Sequence, residues 1–156
     1  MDFISLEMGL AFLLVFMAPV IYILTKENRK KKKLNANINK ICAEHNIKNL
    51  SREAIGSQVF VLDNSEKKLL NYHTKQKRFD IIDLRDFDSC ILQKSGYRND
   101  NYKTILRDIS ISFHKKSQGK PLQISVYDDS YENPLEAEAI LYETDRFVRF
   151  LNTQLS

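Results

Sequence analysis

The chain is poor in the residues from which most recognisable chemical motifs are built. Its 156 residues include no tryptophan, four glycines, three prolines, two cysteines and three histidines. The glycines, Gly9, Gly56, Gly96 and Gly119, never fall in a G-x-G or Walker arrangement, so the phosphate cradles of nucleotide-binding loops are missing. No G-x-S-x-G turn occurs, and neither Cys42 nor Cys90 adjoins a recognisable base. His45, His73 and His114 are widely separated and keep no C-x-x-C company, so no metal site is expected. No catalytic residue and no cofactor is assigned. The expectation is a protein that is not an enzyme.

Charge of one sign is also scarce once the chain is divided. The formal net charge is +4, but residues 1–33 hold six basic and three acidic groups, which leaves the remainder at +1. A nearly neutral remainder gives no support for nucleic acid as a partner.

What the chain does have is one long apolar run. Met8 to Leu24 is 17 residues without a charge, and reaching back to Phe3 gives 22 residues interrupted by Ser5 and Glu7. As a helix, 17 residues span about 26 Å and 22 about 33 Å, beside a hydrocarbon core of about 30 Å. This predicts a transmembrane anchor over residues 1–25, with Pro19 tolerated inside it. The basic flank KENRKKKK, Lys26 to Lys33, follows; the other flank carries Asp2 and Glu7 and no Lys or Arg. The positive-inside rule then predicts a single-pass protein of the cell inner membrane, N-terminus out and C-terminal domain cytoplasmic. Both cysteines fall on that reducing side and are expected as free thiols. The lipid bilayer is one expected partner, with headgroup contact by Lys26, Arg29, Lys30, Lys31, Lys32 and Lys33.

Residues 26–50 read as the basic flank and a linker helix, on the helical spacing of Leu34, Ile38, Ile41, Cys42 and His45. The period then changes. Gln58–Leu62 and Lys68–Tyr72 flank turn chemistry at Asp63–Glu66 and read as a hairpin. Phe79–Leu84 is another short strand, and after a break at Arg85–Phe87 the run Asp88–Lys94 is a further one. Ser95–Asn101 reads as a loop. In the next strand Ile105, Arg107, Ile109, Ile111 and Phe113 share one face, with Arg107 discordant, and Leu106, Asp108, Ser110 and Ser112 share the other. Leu122, Ile124 and Val126 alternate with Gln123, Ser125 and Tyr127 in the last strand. A helix starts at Asn133-Pro134, with Glu136 three residues on. Ala137, Ile140, Leu141, Thr144, Phe147, Val148, Leu151 and Leu155 form its apolar stripe.

The fold class expected is therefore α+β: a transmembrane helix, then a curled antiparallel sheet of five or six strands closed by a C-terminal amphipathic helix, residues 51–156 forming one domain. The runs VFVLDNSEKKLLNYH and FDIIDLRDFDSCIL, the two long strands and the final helix together resemble the bacterial pleckstrin-homology-like (PH-like) proteins. Asp63 to Lys68 matches their D-x-x-x-x-K turn, and Ile81 to Leu84 their I-x-D-L segment. The resemblance implies a small barrel or split sheet serving as an interaction or scaffold module at a membrane, with no catalytic residues.

The expected function is a membrane-tethered, non-catalytic interaction module holding a protein partner, with Tyr97, Arg98 and Tyr102 as candidate contacts. The alternative is a module sensing anionic lipid through the basic flank and Lys115, Lys116 and Lys120. An unrecognised membrane-bound enzyme using Asp80, Asp83, Asp86 and Asp88 is the third reading. The partner's identity and the oligomeric state stay open.

Overall fold

The computed structural model describes residues 3–48, 51–98, 104–117 and 119–155. The chain divides into two units, Met1–Ile41 and Cys42–Ser156.

The first unit is helical. Helix α1 (Phe3–Glu44) runs unbroken for 42 residues with Pro19 inside it, so the apolar run, the basic flank and the linker belong to one helix. Thr25 returns its hydroxyl to the carbonyls of Ile21 and Tyr22, both at 2.9 Å. The membrane anchor expected for residues 1–25 is not supported. Among the described residues no helix is long and apolar enough to cross a membrane. The run's length leaves no margin: 17 uncharged residues make about 26 Å of helix, at the lower limit for a hydrocarbon core of about 30 Å. The extension that would lengthen it takes in Ser5 and Glu7, and the other end runs into Lys26. The single-pass inner-membrane placement, and the topology built on it, falls with the anchor.

The second unit opens with the end of α1. Asn46 takes a positive φ of 54°. Its amide donates to Ala43 O at 3.3 Å, and that of Ile47 to Cys42 O at 2.8 Å. This is a Schellman ending with asparagine in the left-handed position.

Seven strands follow among the described residues. β1 (Ser51–Ile55), β2 (Gln58–Asp63), β3 (Lys68–His73) and β4 (Arg78–Asp83) form a four-stranded meander; β5 (Phe87–Arg98), β6 (Thr104–Lys115) and β7 (Leu122–Asp128) form a three-stranded one, all antiparallel. The curled sheet, and the barrel that was one form of it, is thus corrected to two separate sheets. A 3-10 turn at Leu84–Asp86, capped by Asp83, ends β4 and hands the chain to the second sheet.

Strand β1, which sequence patterning does not reveal, pairs Arg52 with Val61 and Ala54 with Val59. Its SREAI sequence has no alternation, and it becomes a strand because β2 supplies a ladder. Ser95–Arg98, expected as loop, belong to β5. The loop reading followed Gly96, which serves a different need. A Cβ there would lie 2.5 Å from Ile105 O, so the two backbones approach more closely than any side chain allows.

Two bulges reset the faces of the second sheet. Across β5 and β6, Ser95 faces Asp108 while Gly96 faces Leu106, so Arg107 is the extra residue. Leu106 thereby joins Ile109, Ile111 and Phe113 in the core, and the discordant Arg107 is exposed. Across β6 and β7, Tyr127 faces Ile109 and Ser125 faces Ser110, leaving Val126 as the extra residue. Tyr127, expected opposite Val126, is buried with it in one core.

Helix α2 (Ala137–Leu155) lays its expected stripe, from Ala137 and Ile140 to Leu151, into that core. Asn133 caps the preceding 3-10 turn, its side chain accepting from Leu135 N at 3.1 Å. Phe147 stacks on Phe60 at 4.8 Å between centroids. Asn152 fastens the far end by pairing with the main chain of Cys90. It accepts from Cys90 N at 2.9 Å and donates to Cys90 O at 2.8 Å.

Candidate functional site

Strand pairing arranges the inner face of the first sheet in three rows. Leu62, Leu69 and Ile82 make the innermost row; Phe60, Asn71 and Asp80 the next; Gln58, His73 and Arg78 the outermost. Polarity rises in steps from core to rim. The polar rows face β7, the free edge of the second sheet, where Gln58 Nε2 donates to Ser125 O.

Two cavities open along this seam and share His73, Gln76 and Ser125. One, of about 410 Å³, is lined by Ser57, Gln58, Lys75, Tyr127 and Glu132 among others. The other, of about 460 Å³, is lined by Asn71, Arg78, Asp80, Leu122 and Gln123 among others. Both fall in the size range of small-ligand sites.

Two charges of the first cavity, Lys75 and Glu132, are already matched to each other. Glu132 accepts from Ser57 Oγ at 2.6 Å and from Lys75 Nζ at 2.6 Å, and Lys75 also donates to Tyr131 O at 3.1 Å. The Ser57 hydroxyl is therefore held by a carboxylate. Asp128 accepts from Ser130 N at 2.9 Å. Burial, and then the negative charges of Asp129, Glu132 and Asp128, push the Tyr127 phenol above its ordinary pKa, so it stays a hydrogen-bond donor.

The buried neutral groups are not matched. Gln58 Oε1, Asn71 Oδ1 and the Tyr127 hydroxyl have no hydrogen-bond partner among the described residues, although Gln58, Asn71 and Tyr127 are 2%, 1% and 1% exposed. The Asn71 amide nitrogen comes only within 3.5 Å of His73 Nε2. Native interiors leave few such atoms, and three of them belong to residues along this seam.

The residues singled out in the sequence lie elsewhere. Lys26, Arg29 and Lys30–Lys33 are exposed on α1, where Lys26 Nζ sits 5.8 Å from the Tyr22 ring. Tyr97 and Arg98 are exposed at the end of β5, and Tyr102 lies outside the described residues.

The aspartates are not gathered into a site. Asp80 stands in the middle inner row, whereas Asp83 pairs with Lys68 in the ladder, an odd number of residues away and so on the opposite face. Asp83 caps the 3-10 turn and binds Arg85 at 2.5 Å, and the Arg85 hydrogen bond holds its carboxyl down at about 2. Among the described residues no three or more His, Cys, Asp or Glu side chains gather as a metal site.

Sequence reasoning missed Gln58, Asn71 and Tyr127. A signal was available for two of them: Gln58 opens the apolar run QVFVL, and Asn71 interrupts KLLNYH. A polar residue on the inward parity of a core strand demands a partner. Tyr127 gave no such signal, because its inward direction depends on the bulge.

Comparison with known proteins added no relative: no protein-family model, no curated protein and no solved structure matches the chain.

Proposed function

We propose that the β-rich unit is a non-catalytic interaction module of the PH-like kind, and that it engages a protein partner through the seam between its two sheets. Four strands, then three, then one long C-terminal helix is an order compatible with that kind of module. The carrying observation is the pair of cavities along the seam, lined by Gln58, Asn71, His73 and Tyr127, where three buried polar atoms have no partner among the described residues.

Site-specific photo-crosslinking in the full chain tests this. A photo-reactive residue at Gln76, which both cavities share, is compared with one at Arg149, which is exposed on α2. A discrete adduct formed in cells from Gln76 and not from Arg149 is expected. Equal labelling from both sites, or none from either, overturns the reading.

A further inference from the structure

We infer that α1 pairs antiparallel with α1 of a second copy of this chain, along the face that carries positions 11, 14, 18 and 21. The inference concerns the first unit and does not depend on the seam.

The apolar run of α1 lies uncovered. The ten large apolar side chains described between Phe12 and Leu24 are all between 47% and 73% exposed. A continuous apolar surface of this extent marks an association site. A membrane span does not account for it, since among the described residues no helix is long and apolar enough to be one.

Charge selects a second copy, and selects its direction. Ahead of the run stand Asp2 and Glu7 with no Lys or Arg, and behind it Lys26 to Lys33 hold six basic residues and one acid. A parallel pair lays the two basic flanks side by side. An antiparallel pair lays each basic flank beside the acidic end of the other copy.

Residue size selects the face. Positions 7, 11, 14, 18, 21 and 25 recur at alternating intervals of four and three, which keeps them on one face of α1. They hold Glu, Ala, Leu, Ala, Ile and Thr. Laying the run Met8 to Leu24 on its reversed copy brings position 8 level with 24, 11 with 21 and 14 with 18. Ala11 then meets the partner's Ile21, and Leu14 the partner's Ala18, so each small residue stands opposite a large one. Glu7 comes level with the partner's Thr25, within about one turn of Lys26 and Arg29. In a parallel pair each alanine faces itself and leaves a gap.

The test is sedimentation of the purified full chain, with an electron-spin distance between nitroxides placed on Lys30→Cys; the native Cys42 and Cys90 are buried. Both measurements are made in buffer and in mild detergent. A dimer, alone or in multiples, is expected. Position 30 stands level with position 2 of the partner, so the labels should lie about 40 Å apart. A parallel pair brings them within about 20 Å. Ala18→Glu is expected to weaken association at least tenfold, whereas Phe16→Glu, on the opposite side of the helix, should weaken it less. Glu7→Lys should weaken it about threefold, and adding Arg29→Glu should restore it. A monomer in both media overturns the inference, including one that binds phosphatidylglycerol vesicles as a monomer. So does the short label distance, a greater loss from Phe16→Glu than from Ala18→Glu, or a charge exchange that restores nothing.

Discussion

The inner face of the first sheet has an apolar end and a polar end, four residues apart on each of its three longer strands. Leu62, Leu69 and Ile82 occupy one end; Gln58, His73 and Arg78 the other. Both rows belong to the same ladder, with the same strand directions and pairing. They differ in what faces them. The apolar row joins one core with Phe147, Val148 and Leu151 of α2, while the polar row faces the seam at the edge of β7. Pairing alone therefore does not decide what a row does. The opposing surface does: where α2 covers the sheet, burial drives folding, and along the seam buried polar atoms are left without partners among the described residues.

The sharpest way to break this contrast is at the apolar end. Leu69 is fully buried, and Leu69→Ala is expected to destabilise the unit by about 2–5 kcal/mol, read from the denaturant midpoint. Leu has no route to relax there, because its row neighbours are themselves buried.

Asp63 comes next. Its buried carboxylate accepts from the Ser65 hydroxyl at 2.6 Å and from the amides of Ser65, Glu66 and Lys48 at 2.9, 3.0 and 2.6 Å. Burial alone would raise its pKa; those four donors overcome it and hold the group at about 2. Asp63→Ala strands the donors and is expected to cost about 2–3 kcal/mol. The folded carboxyl titrates below the unfolded one, so its stabilisation is present above pH 4 and is lost as pH falls from about 4 toward 2. Unfolding midpoints measured over that window should converge for the wild-type chain and Asp63→Asn; a difference that stays constant with pH would refute the assignment.

Asn152→Ala removes the two bonds that hold α2 to Cys90. About 1–2 kcal/mol is expected, with faster amide exchange at Cys90 as the local signature.

The smallest effect is expected at the polar end, and its sign is the point. Asn71→Leu replaces an amide whose oxygen has no partner by an apolar group of similar size. Stability should change by less than about 1 kcal/mol, or rise, while crosslinking from Gln76 falls. A large loss of stability would show that Asn71 belongs to the folded framework and would erase the distinction between the two ends.

Much of the framework was legible in the residues. The β2–β3 hairpin is announced by Asp63–Glu66 between two apolar runs, and Asp63 supplies the acceptor that its turn requires. Asn133-Pro134 marks the start of the C-terminal helical region because a side-chain oxygen and a fixed φ suit an N-terminus, and the α2 stripe from Ala137 to Leu151 was correct because a 3.6-residue period specifies one face. The 42-residue α1 was legible as helix but misleading as a membrane anchor, since a 17-residue uncharged run lies at the lower limit of what a bilayer needs.

The candidate site was largely illegible. Its residues come from β2, β3, the β3–β4 turn and β7, up to about seventy positions apart, and no spacing rule links them. Strand alternation even pointed the wrong way for Tyr127 and Leu106, because parity counts residues and cannot register a bulge. A bulge exists only when two strands pair, so the second sheet's faces were settled by β5, β6 and β7 together.

By itself, then, the amino-acid order determined the helices, most of the strands, their turns and caps, and the near-neutral charge of the β-rich unit. These depend on neighbours within a few residues, where backbone sterics and short-range hydrogen bonds act. Only the tertiary structure decided that there are two sheets, that Arg107 and Val126 shift the faces, and that Gln58, Asn71 and Tyr127 lie along one seam, each with a polar atom that has no partner among the described residues. Those features depend on which distant surfaces come together and which do not, and a buried atom left unsatisfied is defined only once everything around it has been placed.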